Sequence, residues 1–149
     1  MNNDNKISLD DAYALKTPED NVAIYRHWAE TYDVEFAQNR GYQYPQKIAD
    51  IYAHCAAPDD NPILDVGSGT GLVATALQEH QAINTQLTID GVDISPEMLA
   101  ISQTKNVYRH LIEADLTQSI DLPEKQYGAV VSAGTFTHGH VGPEALIKL

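Results

Sequence analysis

From Pro62 onward the chain alternates short apolar or β-branched runs with segments of helical period. The runs ILDV, LTIDGVDI, YRHLIEAD and YGAVVSAG read as strands, and the last holds no charge from Gly128 to Gly134. LVATALQEH separates the first two, and SPEMLAISQTK separates the next two. Ser95 supplies a cap for the second of these helices and Pro96 its first position. Strands alternating with helices predict βαβ units, hence an α/β fold with a parallel sheet of about four strands and ligands at the C-terminal strand ends.

Before Pro62 the pattern is different. Thr17-Pro18-Glu19-Asp20 places a cap, a proline and two acids where a helix dipole favours them. The helix it opens carries Val22, Tyr25, Trp28, Ala29, Tyr32 and Phe36 on one stripe, with Trp28, Tyr25 and Phe36 expected to pack rather than to touch substrate. Asn39-Arg40-Gly41 ends it. A second helix is expected from near Pro45 to before Pro58, with Ile48, Ile51, Tyr52 and Cys55 as its buried face. The expected organisation is a polar segment over 1–16, a helical cap over 17–58, the linker PDDNP, and a core over 62–149.

Charge limits the partners. The chain of 149 residues has a formal net charge of -12, and its nine Lys and Arg are scattered. Phosphate backbones and anionic membrane surfaces repel such a protein, so neither nucleic acid nor a membrane is expected as partner. The N-terminus, MNNDNKISLDD, is too polar and acidic for a signal or transit peptide, and no apolar run approaches a membrane span. A cytoplasmic protein is expected. With Cys55 alone, no intrachain disulfide and no Cys-rich metal site can form.

Three glycines in ILDVGSGTGL need a reason, because glycine weakens regular structure. Read from Gly67, a dinucleotide fingerprint would need a third glycine where Leu72 stands, and no Lys-Ser/Thr pair follows for a P-loop. Both phosphate readings are weakened. What remains is a bare turn bordered by Asp65, which suits a neutral or cationic ligand better than a pyrophosphate. Asp93 closes the next strand run, where a carboxylate can accept both hydroxyls of a ribose. Asp115 closes the third, where an acid can accept from an exocyclic amine.

ILDVGSGTGLVATAL, GVDISPEMLAIS, HLIEADL and YGAVVSAGTFTHGHVGP, in this order, resemble the successive motifs of class I S-adenosylmethionine-dependent methyltransferases. GTFTHGHVGPEAL, with WAETYD and GYQYP upstream, is most similar to the Williams–Beuren-syndrome-region methyltransferase-like proteins. The resemblance implies a Rossmann-like fold with N-terminal helices and S-adenosylmethionine as cofactor. Gly67, Ser68 and Gly69 would line its methionine part, with Asp65 holding the ammonium directly or through water. Asp93 would take the ribose hydroxyls, Ile94 and Met98 would flank the adenine, and Asp115 with Leu116 would meet its amino edge. Ser132 and Ala133 would lie near the reactive methyl, and Tyr32 would close the pocket. Gly128 stands where the family often has an aspartate.

Methyl transfer from a sulfonium is an in-line displacement that rests mostly on alignment, and a base is needed only where the acceptor must lose a proton. His138 and His140, in THGH, are the candidate bases. As metal ligands they lack a third partner fixed by spacing, so no metal is expected. The family sheet has seven strands, whereas this sequence stops in the helix expected after the fourth. YGAVVSAG is therefore expected to have an open edge, available for a homo-oligomer. The reading is a methyltransferase acting on a small-molecule acceptor. The alternatives are a non-catalytic cofactor-binding or assembly module and, disfavoured by the glycine spacing, an NAD-dependent oxidoreductase.

Overall fold

A computed structural model describes residues 29, 32–34, 41–118, 120–122, 126–136 and 141–148. Most of the first expected helix, with Tyr25, Trp28 and Phe36, lies outside the described residues. Helix α1 covers Tyr44–Cys55. It is followed by β1 (Ile63–Val66), α2 (Leu72–Glu79), β2 (Ile89–Asp93), α3 (Pro96–Thr104), β3 (His110–Glu113), β4 (Ala129–Val131) and a 3-10 helix, Pro143–Lys148. The four strands form one sheet in the order β3-β2-β1-β4. Every pairing is parallel, with Ile63 opposite both Ile89 and Ala129, and Asp90 opposite His110.

β1 is buried at all four positions, as a central parallel strand covered on both faces should be. Side chains alternate across it. Ile63 joins Ala49 of α1, Val73, Ala74 and Leu77 of α2, and Ile89 on one side. Leu64 and Val66 join Val92, Leu116 and Ala145 on the other. Fully burying an aliphatic side chain of this size contributes about 1.5–3 kcal/mol, so these two clusters hold the sheet in place. At its end, Asp90 is buried and binds Arg109 through both carboxylate oxygens, at 2.9 and 2.6 Å. Tyr127 also donates to it at 2.8 Å and the His110 amide at 3.1 Å. Burial alone would raise this carboxyl, but the hydrogen bonds from Arg109 and Tyr127 bring it below the ordinary range.

The strand runs are shorter than the sequence suggests. ILDV pairs throughout, whereas Ile94, Ala114 with Asp115, and Ser132 to Gly134 leave the ladder beyond β2, β3 and β4. Those departures place residues at the strand ends. The face of α1 also differs from expectation: Pro45 and Ala49 are buried, Ile48 and Tyr52 pack beside them, and Ile51 and Cys55 are exposed. At about 100° per residue, Ile51 and Cys55 turn away from the arc that meets α2. Gly128 is explained by proximity. A Cβ there would meet the backbone of Asp59 to Asn61, while its amide donates to Pro62 at 2.8 Å. Among the described residues, no helix is long and apolar enough to cross a membrane.

Candidate cofactor-binding site

The glycine loop joins β1 to α2 in three left-handed steps, Gly67 at φ +70°, Gly69 at +53° and Gly71 at +89°. L residues other than glycine rarely adopt these angles. Its N–H groups bind within the protein. Gly67 and Ser68 both donate to the Val92 carbonyl at 2.8 and 3.0 Å, and Gly71 donates to the Ser68 carbonyl at 2.9 Å. Gly69 donates to Asp93 Oδ2 at 2.8 Å. These four amides already have acceptors within the protein, so a ligand at the loop would not find them free.

Beside the loop lies an open cleft. Tyr32, Gly67, Ser68, Gly69, Asp93, Ile94, Met98, Asp115 and Leu116, all expected from the sequence, line it. Asp93 is set at the C-terminal end of β2, where Oδ1 also accepts the Ser95 amide at 2.9 Å. Burial raises its carboxyl, although the amides of Ser95, Gly69 and Ile94 pull the other way. Ser95 then caps α3, its Oγ accepting the Met98 amide at 3.3 Å, which seats Met98 in the wall of the cleft. Across the cleft, Asp115 turns the chain after β3, its Oδ1 accepting both the amide and the hydroxyl of Thr117 at 2.8 and 2.7 Å. Among the described lining residues there is no lysine, arginine or histidine.

Two expected residues lie elsewhere. Asp65 does not line the cleft; it is fully buried, on the same side of β1 as Ile63. Its Oδ2 accepts the Tyr108 hydroxyl at 2.6 Å, and Oδ1 has no partner. Burial pushes this carboxyl up to about 7, with the neighbouring Asp93 adding to the rise and the Tyr108 hydrogen bond opposing it. Tyr108 thus occupies one of its two oxygens. Ser132 is likewise absent from the lining, since its hydroxyl donates to the Val66 carbonyl at 2.7 Å and ties β4 to β1. His138 and His140 lie outside the described residues.

Sequence reasoning missed Tyr42, Thr70, Thr117, Thr135 and Val141, which also line the cleft. Thr135 stands just beyond β4, so the rule that parallel sheets bind at strand ends could have found it. Tyr42 falls in GYQYP, a motif whose position gives no hint of its facing. Among the described residues no cluster of His, Cys, Asp and Glu could hold a metal ion.

Comparison with known proteins fits this geometry. DesVI of Streptomyces venezuelae superposes with a TM-score of 0.54 at 24% identity, over 72% of this chain and 43% of its own. CalS10 of Micromonospora echinaspora, an amino pentose methyltransferase solved with SAM, gives 0.51 at 26% identity over 66% and 39%. The DhpI-SAM-HEP complex gives 0.60 at 23% over 87% and 55%. The chain thus spans less than two thirds of the length of these structural relatives. No curated protein matches it significantly. Residues 63–148, more than half of the chain and the whole of the sheet and its loops, match the methyltransferase domain family, to which this chain belongs.

Proposed function

We propose that the cleft binds S-adenosylmethionine and that the chain is the cofactor-binding part of a methyltransferase acting on a small-molecule acceptor. The observation that carries this reading is the pairing of an amide-engaged glycine loop with two carboxyl groups, Asp93 and Asp115, across one cleft. A pyrophosphate would find these four loop amides occupied and two acids nearby. A nucleoside joined to a cationic sulfonium and an ammonium finds acceptors for its hydroxyls and amines. The same contrast counts against the nicotinamide dinucleotide reading.

In this reading Asp93 accepts from the ribose hydroxyls, Ile94 and Met98 pack on the adenine, and Asp115 with Leu116 meets its amino edge. Gly67 to Gly69 lie along the methionine part, and Tyr32 covers it. The bound cofactor supplies an electrophilic methyl whose sulfur leaves as a neutral thioether. The protein's task is then alignment and exclusion of water, where well-oriented reactants gain about 7–11 kcal/mol. For an acceptor that must lose a proton, His138 and His140 are the candidate bases. CalS10 and its amino pentose substrate class support a small acceptor, as does the net charge of -12, which disfavours nucleic acid.

Calorimetric titration with S-adenosylmethionine and with NADH discriminates the readings. Saturable one-to-one binding of the first is expected. Heat from NADH alone would overturn the proposal.

A further inference from the structure

Asp33 follows Tyr32, which lines the cleft, and is not itself among the lining residues. Its Oδ1 accepts the hydroxyl of Thr70, a buried residue of the glycine loop, at 2.5 Å. Its Oδ2 binds Lys105 Nζ, at the C-terminal end of α3, also at 2.5 Å. The ion pair is mostly shielded, with side-chain exposures of 21% for Lys105 and 28% for Asp33. One carboxylate therefore joins three parts of the chain: the 32–34 segment, the glycine loop and the helix whose first turn carries Met98.

We infer that Asp33 is a positioning residue, which uses Thr70 and Lys105 to hold Tyr32 over the cofactor cleft. This inference rests on the cofactor reading given above. Adjacent Cα atoms are about 3.8 Å apart, so fixing the Asp33 carboxylate at two points fixes the path of its neighbour as well. Both hydrogen bonds involve an ionised group in a partly dry setting, where such bonds are roughly twice as strong as neutral ones. Thr70 is the informative partner. It lines the cleft while its hydroxyl engages Asp33, so this contact links the loop directly to the segment that carries Tyr32.

Titration of S-adenosylhomocysteine into the full chain, with and without Tyr32, tests this. Asp33→Ala is expected to weaken binding about tenfold, which corresponds to about 1.4 kcal/mol. On a Tyr32→Ala background the same change is expected to weaken it less than about twofold, because coupled residues are not additive. Lys105→Met, which leaves the cleft lining intact, is expected to weaken binding about threefold with Tyr32 present and not without it. This second pair decides the matter if Asp33→Ala does not fold. Equal losses with and without Tyr32 would show that Asp33 acts only on the scaffold and would overturn the inference. So would unchanged affinity in both variants. A wild-type chain that does not bind S-adenosylhomocysteine would instead sink the cofactor reading itself, and the inference with it.

Discussion

A carboxyl group cut off from water prefers to keep its proton, and Asp65 is such a group: fully buried, with one oxygen on Tyr108 and the other unpartnered. Its value of about 7 lies above the ordinary 3.8, so the folded protein holds this proton more tightly than the unfolded chain does. The stability it contributes is full below about pH 4 and is lost as pH rises toward about 7. Asp65→Asn imitates the protonated acid at every pH. Denaturant unfolding should therefore find the variant and the wild type alike near pH 4, and the variant more stable by on the order of a few kcal/mol near pH 8. A difference that does not change with pH would contradict the buried-acid account. At this scale the sequence was legible where a rule reached a single residue. Asp93 and Asp115 close strand runs and both face the cleft, as strand ends do in parallel sheets. Asp65 lies inside a strand, where only its partners decide what it meets. Tyr108, 43 positions away in sequence, carries no spacing signal that would announce the contact.

Elements were read from period and punctuation. Strand-helix alternation yields the parallel sheet, and Ser95-Pro96 marks the start of α3, where the predicted cap is formed. The strand ends were read too long because Ile94, Asp115, Ala133 and Gly134 leave the ladder and line the cleft, which an apolar run does not disclose. For α1, two interleaved apolar arcs fit the same period, and only packing against α2 selects Pro45 and Ala49 over Ile51 and Cys55. The glycine loop was legible as a loop, but its glycines are not equivalent. A Cβ on Gly67 would collide with the Thr135 side chain, whereas one on Gly69 would meet nothing nearby. Each substitution carries the strain of a left-handed residue, about 1–2 kcal/mol. Gly67→Ala should therefore lower the thermal midpoint more than Gly69→Ala. Adding Thr135→Ala should recover part of the loss in the first case and none in the second. Equal losses that ignore Thr135 would contradict the packing seen between the loop and the β4 end.

At the scale of the molecule, one sheet carries an apolar cluster on each side and the cleft at the C-terminal ends of its strands. The order of the motifs along the chain made this architecture readable, because connections in α/β folds are short and right-handed and leave few topologies to consider. The methyltransferase family follows from the same order. The Asp33 contact with Thr70 and Lys105 was not readable, since it joins segments 37 and 72 residues apart. The central claim is that S-adenosylmethionine occupies the cleft beside Gly67 to Gly69, with Met98 in its wall. The chain has only two methionines, Met1 and Met98, so labelling methionine methyl groups with carbon-13 gives one resonance that reports on the cleft. Titrating S-adenosylhomocysteine should shift the Met98 resonance saturably, with the midpoint found by calorimetry, while NADH leaves it in place. A Met98 resonance that stays unmoved at saturating S-adenosylhomocysteine would contradict the account.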